Sequence, residues 1–265
     1  MLPLNLVQGC PERYEILRGV YPEVSLRAQN DRKRRGSEWR RRSNKSVTLS
    51  QKLVLAIIRL LCKIFLSWEV KGKENLSLSG PFIVTANHVH LLDPILLAVS
   101  FPRWINFMGK EELFRSPFLR LIIRWSGTFS AHRQGTIKEK QKVLRQAKDI
   151  LDRGLILGMF PEGSRSRDGK LRMGKPGSAV IASQSSIFIL PVGIVGTDKI
   201  KGMSWLWKRP SIVINVGEPF KLPPIGGKLN RSQRKSLTDL MMRRIAILLP
   251  PESRGVYLNN KANGN

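Results

Sequence analysis

Two short polar clusters hold the residues of this chain best suited to chemistry: Asn87-His88-Val89-His90-Leu91-Leu92-Asp93-Pro94 and Phe160-Pro161-Glu162-Gly163-Ser164-Arg165-Ser166. A histidine acts as a general base near neutral pH when a carboxylate fixes its tautomer and stabilises the imidazolium that forms. Asp93 is the only acid close to His88 in sequence. On a continuous helix a spacing of five sets two side chains about 140° apart, so the pair can meet only if the segment bends. Asp93-Pro94 reads as a helix entry, with Asp as N-cap and Pro as the first helical residue. That corner supplies the bend, although the same two residues also make sense as a cap and nothing more. His90 has no acid at comparable spacing within the cluster and reads as structural. His132, beside Arg133, is the weakest of the three histidines.

In the second cluster an arginine, neighbouring hydroxyls and a flexible glycine can hold a phosphate, Arg165 supplying forked donors. Glu162 is odd there, because it repels a phosphate unless it bonds a hydroxyl or orients Arg165. Two decoys fall away. Gly169 to Lys175 fits the start of a phosphate-binding loop, but Pro176 stands where Ser or Thr should bind magnesium. Ser164 lies in Glu-Gly-Ser-Arg-Ser rather than Gly-x-Ser-x-Gly, so a serine nucleophile is not indicated.

The elements that must position these clusters are legible as alternating runs. Strands are expected at Phe82–Ala86, Trp104–Met108, Leu155–Phe160, Ile187–Ile194 and Ile212–Val216. Helices are expected at Pro94–Ser100, Pro117–Trp125, Thr136–Arg153, Gly174–Gln184 and Arg231–Leu249. Alternation of this kind predicts an α/β fold with a mostly parallel central sheet flanked by helices. Both polar clusters directly follow strands, where open α/β sheets bind ligands.

Upstream, Leu53–Leu66 is apolar except for Arg59 and Lys63, and its fourteen residues fall short of the about 20 needed to span a bilayer. Lys52, Ala56, Arg59 and Lys63 share one helical face; Leu53, Leu55, Ile57, Ile58, Leu61, Ile64 and Phe65 form the other. The expectation is an N-terminal amphipathic helix over 47–70, suited to a membrane interface, to the protein's own core, or to both. Residues 1–46 lack periodicity and read as a basic, disordered tail; 71–258 is the main domain and 259–265 a frayed end.

Bulk composition narrows the classes. The net charge is +27, of which residues 1–46 carry +6, so the folded part itself presents a positive surface and expects anionic partners. Two cysteines, Cys10 and Cys62, and three histidines build neither a disulfide framework nor a thiolate or histidine-rich metal centre. No secretory signal is visible in the first thirty residues.

Taken together, the clusters resemble the glycerolphosphate and lysophosphatidate acyltransferase family, whose hallmark is Asn-His-x-x-x-x-Asp followed downstream by Phe-Pro-Glu-Gly-Ser/Thr-Arg-Ser. Asn87-His88 with Asp93 matches the first motif and Phe160 to Ser166 the second. Between them Gly127 to Arg133 is similar to the family's apolar block ending in Arg, and Ile189-Leu190-Pro191-Val192-Gly193 to its closing Pro-Val strand. The likeness runs colinearly from about residue 50 to 217. One departure is that Leu171 to Gly177 lacks the family's Phe-x-x-Gly aromatic, with Leu171 or Met173 in its place.

The resemblance implies that His88 deprotonates an acceptor hydroxyl, Asp93 orients His88, and the alkoxide attacks an acyl thioester directly, with no acyl-enzyme, metal or cofactor. It further implies that Arg133, Glu162, Gly163, Ser164 and Arg165 bind the phosphorylated acceptor. The expected reaction is acyl transfer from acyl-CoA or acyl carrier protein to the sn-2 hydroxyl of 1-acyl-sn-glycerol 3-phosphate, giving phosphatidate for phospholipid biosynthesis. Glycerol 3-phosphate or another lysophospholipid is the nearest alternative acceptor. The expected setting is an anionic membrane surface on the cytoplasmic face, peripheral or monotopic. A nucleic-acid-binding protein, suggested only by charge, predicts aromatics among the basic residues, and 27–46 contains only Trp39.

Overall fold

In the computed structural model, which describes residues 49–110, 129–131, 136–185, 187–223 and 229–258, the apolar runs become strands of one seven-stranded sheet. The strands are β1 (Ser67–Lys71), β2 (Phe82–Ala86), β3 (Ile105–Lys110), β4 (Phe129–Ala131), β5 (Ile156–Met159), β6 (Phe188–Val195) and β7 (Ser211–Val216). Their order across the sheet is β1-β7-β6-β2-β5-β3-β4, every neighbouring pair parallel except β6 with β7. Expectations for 1–46, for a helix at Pro117–Trp125, for His132 and Arg133 and for 259–265 lie outside the described residues.

Six helices accompany the sheet among the described residues: α1 (Leu49–Phe65), α2 (Asp93–Ser100), α3 (Ile137–Asp152), α4 (Pro176–Ser185), α5 (Trp205–Lys208) and α6 (Arg231–Ala246). Side chains alternate across a strand, and β2 shows the result. Phe82, Val84 and Ala86 join a core with Leu96, Leu97 and Cys62, whereas Ile83 joins Leu151, Leu157, Ala179 and Met241 on the other face. A strand covered on both sides must be apolar throughout, which is why β2 is buried along its whole length. Each fully buried Ile or Leu of this kind contributes about 1.5–3 kcal/mol.

Local chemistry sets the ends. Thr136 and Glu139 form a reciprocal capping box at the start of α3, as do Asn230 and Gln233 at α6. The amphipathic segment expected over 47–70 is shorter as a helix: α1 stops at Phe65, and Ser67–Lys71 pairs with β7 as an edge strand.

The faces of α1 also differ from expectation. Leu55, Ile58 and Cys62 pack on the core, and Arg59, assigned to a polar face, turns inward. Its guanidinium donates to the carbonyls of Val99 (2.9 Å) and Phe101 (3.2 Å), the end of α2. Leu53, Ile57, Leu60, Leu61 and Ile64 form a separate, exposed apolar stripe, with Lys52 and Lys63 beside it. A helix can thus be core-facing and solvent-facing on different sides of the same turns.

Candidate active site

The two polar clusters meet because β2 and β5 are parallel neighbours, Thr85 standing beside Met159 at the carboxyl ends. The loop 87–92 leaves β2 and the turn 160–166 leaves β5 at the same edge of the sheet, where α/β folds place their ligands. Asn87 closes β2 by clamping the end of β6. Its amide donates to Ile194 O (2.8 Å) and its side-chain oxygen accepts from Ile194 N (2.7 Å). The loop therefore starts from a fixed point.

His88 follows, half-buried, with its Nδ1 2.9 Å from Asp93 Oδ2. The bend that the spacing requires is made by Asp93 itself. Its Oδ2 also accepts from the backbone N–H of Val89 (2.7 Å) and His90 (2.7 Å), folding the loop back over the carboxylate. Asp93 is fully buried, and its Oδ1 has no partner. The expectation that Asp93 is the N-cap needs correcting: Leu92 holds that position, and Asp93 is the first helical residue. The carboxylate binds N–H groups that precede the helix, so it acts as a brace of the loop and a partner of the imidazole. A buried carboxylate accepting these two backbone bonds and touching one imidazole fixes the ring tautomer with Nδ1–H toward Asp93, leaving Nε2 to exchange a proton.

Phe160 bounds the ring's other freedom. Its ring stacks on His88 at 4.2 Å and 24°, and Phe107 lies parallel to Phe160 at 6.0 Å. His90 is engaged in its own loop, its Nδ1 accepting from Leu92 N at 3.3 Å. Burial, first of all, pushes the His90 imidazole below its ordinary pKa; Arg165 and His88 push the same way and Asp93 opposes them. These contacts favour a structural role for His90 within its loop.

Glu162 is where the geometry departs most from the phosphate-contact reading. Its side chain is buried, Oε1 accepting from His88 N (2.9 Å) and Oε2 from Arg172 N (3.0 Å). Both oxygens accept from peptide groups, which gives Glu162 a positioning role for His88. Burial raises its pKa to about 7, the negative Asp93 adding to the rise, while the two backbone donors and the Arg172 guanidinium oppose it. Gly163 and Ser164 also make contacts within the turn and its surroundings. Gly163 sits at φ +67°, a conformation that favours glycine, and its N–H donates to Phe160 O at 2.9 Å. Ser164 Oγ accepts from the Arg172 guanidinium at 3.0 Å.

The turn returns to His88 once more, as Ser166 N donates to His88 O at 2.7 Å. Both peptide groups of the candidate base are thus held by the second cluster. Arg165 is exposed and available to an anion. A cleft of about 560 Å³ adjoins Glu162, lined by Lys170, Arg172, Lys175, Met173 and Val256 among others. Arg172 was not singled out by the sequence, because its hydrogen bond to Glu162 is made by its backbone. Among the described residues, no three His, Cys, Asp or Glu side chains gather in a way that could hold a metal ion.

Residues 67–195 match the family model described as Acyltransferase. The chain is 30% identical over 177 residues to the 1-acyl-sn-glycerol-3-phosphate acyltransferase of Borreliella burgdorferi, an alignment covering 66% of this chain and 69% of that protein. It is 28% identical over 137 residues to a chloroplastic 1-acyl-sn-glycerol-3-phosphate acyltransferase of Arabidopsis thaliana, covering 51% of this chain and 38% of that one. Among solved structures it resembles the 1-acyl-sn-glycerophosphate acyltransferase PlsC from Thermotoga maritima, at a TM-score of 0.54 and 28% identity, with 80% of this chain and 88% of that chain covered.

Proposed function

We propose that this chain, which belongs to the acyltransferase family and is an acyltransferase, moves a fatty acyl group from a thioester to the sn-2 hydroxyl of 1-acyl-sn-glycerol 3-phosphate, giving phosphatidate. The observation that carries the chemistry is the His88–Asp93 pair at 2.9 Å, braced on both sides by the turn 160–166. The acceptor is inferred from the relatives, which are named for it, and from the exposed Arg165 beside the pair.

In this mechanism His88 Nε2 takes the proton of the acceptor hydroxyl as its oxygen attacks the thioester carbonyl. The C–O bond forms, the C–S bond breaks, and the thiolate leaves with the proton returned by the imidazolium. Asp93 stabilises that imidazolium and Arg165 holds the acceptor phosphate, a role in which Arg133 would assist. The thiol carrier is coenzyme A or an acyl carrier protein. Neither step calls on a cofactor or a metal.

The substrates carry acyl chains, and the exposed stripe of α1 offers a way to meet them. With 17 residues α1 is about 25 Å long, and no helix among the described residues is long and apolar enough to cross a membrane. We place α1 in the interface of an anionic membrane on its cytoplasmic face, lying along the surface with Lys52 and Lys63 toward headgroups.

The test is acyl transfer by purified protein with lysophosphatidate and a long-chain acyl thioester, comparing wild type with His88→Ala. Formation of phosphatidate and a loss of roughly hundredfold or more in the variant is the expected result. Full rate in the variant overturns the assignment of the base. Activity confined to glycerol 3-phosphate or to another lysophospholipid overturns the acceptor and keeps the base.

A further inference from the structure

A second apolar feature of the surface lies in the loop between β6 and β7, apart from the catalytic pair. The loop between β6 and β7 carries Lys201-Gly202-Met203-Ser204-Trp205-Leu206-Trp207-Lys208-Arg209, including the short helix α5. Trp207 is 90% exposed and Met203 74%. Large apolar side chains so fully in water are unusual and mark contact surfaces when they gather. Both belong to the loop that contacts the C-terminal end of α1 through Trp205 and Arg209, and the exposed stripe of α1 is itself apolar.

The loop is held in place by contacts of its own. Trp205, two residues before Trp207, is half-buried against the core and meets Phe65 of α1 edge-on at 6.4 Å between ring centroids. Arg209 ends α5 at φ +43°, the only non-glycine residue with positive φ among the described residues. Its guanidinium donates to Lys63 O, the last turn of α1, at 2.9 Å, and Pro210 O accepts from Ser67 N at 3.1 Å. A left-handed backbone is unfavourable for a residue that carries a Cβ, and here that conformation joins the loop to the end of α1. Trp207 and Met203 are therefore displayed outward from an anchored base.

We propose that this loop is a second membrane-docking element, inserting Trp207 and Met203 into an anionic lipid surface next to the stripe of α1. Charge complementarity selects the occupant. Lys201, Lys208 and Arg209 flank the apolar side chains, as Lys52 and Lys63 flank the stripe, and all five are exposed. Apolar side chains ringed by cations fit a headgroup layer with acyl chains beneath, and tryptophan favours that boundary because its ring is amphipathic. Two anchors fix the tilt of the domain, where a single helix leaves it free to roll. The proposal rests on the interface reading of α1 given above, and adds to it an orientation.

The test uses the full chain and vesicles of phosphatidylglycerol and phosphatidylcholine in equal parts. Trp207→Ser is expected to weaken partitioning by at least about tenfold, since a large apolar group no longer leaves water. Its rate on a short-chain acceptor dissolved below micelle concentration stays within about twofold of wild type. Six tryptophans share the emission, so the component belonging to Trp207 is taken as wild type minus Trp207→Phe. Vesicles with brominated acyl chains quench that component if the side chain is inserted. Unchanged partitioning of Trp207→Ser, or an unquenched component in vesicle-bound protein, overturns the proposal and leaves α1 as the sole anchor; a patch covered by another part of the chain or by a second copy gives the unquenched result. Absence of vesicle binding by an active wild type overturns the interface reading along with the loop. If Trp207→Ser loses rate on the dissolved acceptor, the conservative phenylalanine variant and its quenching difference decide the matter alone.

Discussion

Replacing Asp93 by Asn separates the charge of this residue from its bracing of the loop. Asp93 Oδ2 accepts from His88 Nδ1, Val89 N and His90 N, while Oδ1 is buried without a partner. An asparagine set with its oxygen in place of Oδ2 keeps all three bonds and puts its NH₂ where Oδ1 was. The reverse orientation would face an amide donor toward three N–H groups and is excluded. The cost to folding is one buried, unpaired NH₂, about 1–3 kcal/mol, or a fall in Tm of a few degrees. Alanine removes every acceptor and leaves the N–H groups of Val89 and His90 without one, so its melting temperature falls further.

The effect on rate has another origin. When His88 takes a proton it becomes a cation whose Nδ1 lies 2.9 Å from the carboxylate oxygen. Unit charges roughly 4 Å apart at an effective dielectric of about 20 interact by about 4 kcal/mol. With each 1.36 kcal/mol worth about tenfold in rate, loss of that charge predicts a hundred- to thousandfold fall in kcat. KM should change little, since Asp93 is fully buried and out of reach of a substrate. Initial rates of thiol release from the acyl thioester, at saturating acceptor, measure the first quantity, and circular dichroism melting measures the second. A folded Asp93→Asn protein with kcat within about threefold of wild type would refute the reasoning, leaving Asp93 a brace of the loop only.

Two further substitutions probe the second cluster. Glu162 has its folded pKa raised from 4.5 to about 7, so its native state holds a proton that the unfolded chain has lost. Its contribution to stability is therefore fully present below about 4.5 and declines as pH rises toward 7. Between pH 5 and 8 wild type should lose about 2–3 kcal/mol relative to Glu162→Gln, read from urea midpoints, and parallel profiles for the two proteins would contradict this. Arg165→Ala should raise KM for a phosphorylated acceptor by about ten- to a hundredfold, the worth of a charge-assisted hydrogen bond, with kcat nearly kept. An equal loss on the dephosphorylated acceptor would rule out the phosphate contact.

Much of the frame was legible because the strands are buried on both faces and the sequence says so. Phe82–Ala86 is predicted and observed with the same ends, and the strands around Ile105, Ile156, Phe188 and Ser211 differ from expectation by one or two residues. The edge strand Ser67–Lys71 was hidden. Its side chains alternate between exposed and half-buried, it follows an apolar helix without a breaker, and its partner β7 is more than 140 residues away. Sequence shows a strand by its faces, and a short edge strand has hardly one. His88 and Asp93 were legible as a pair because both are side chains with known chemistry. Glu162 was legible as an anomaly only. Its partners are the peptide groups of His88 and Arg172, and a peptide group leaves no mark on residue type. The inward turn of Arg59 was unreadable for the same reason, since its acceptors are the carbonyls of Val99 and Phe101.

That Glu162 looks inward explains why two clusters some seventy residues apart act as one. The His88 imidazole is restrained at Nδ1 by Asp93 and on its face by Phe160, and its backbone is held by Glu162 and Ser166. Of these four restraints, three come from the turn after β5 and one from the first turn of α2. The proposed base thus reaches this geometry only once β2 and β5 are paired, and a proton acceptor held this firmly would need little rearrangement on meeting a hydroxyl. A carboxylate buried to do this is unfavourable in itself, as its raised pKa shows. Its retention in the fold is intelligible if stability is given up for the position of one histidine, the pattern expected of catalytic sites.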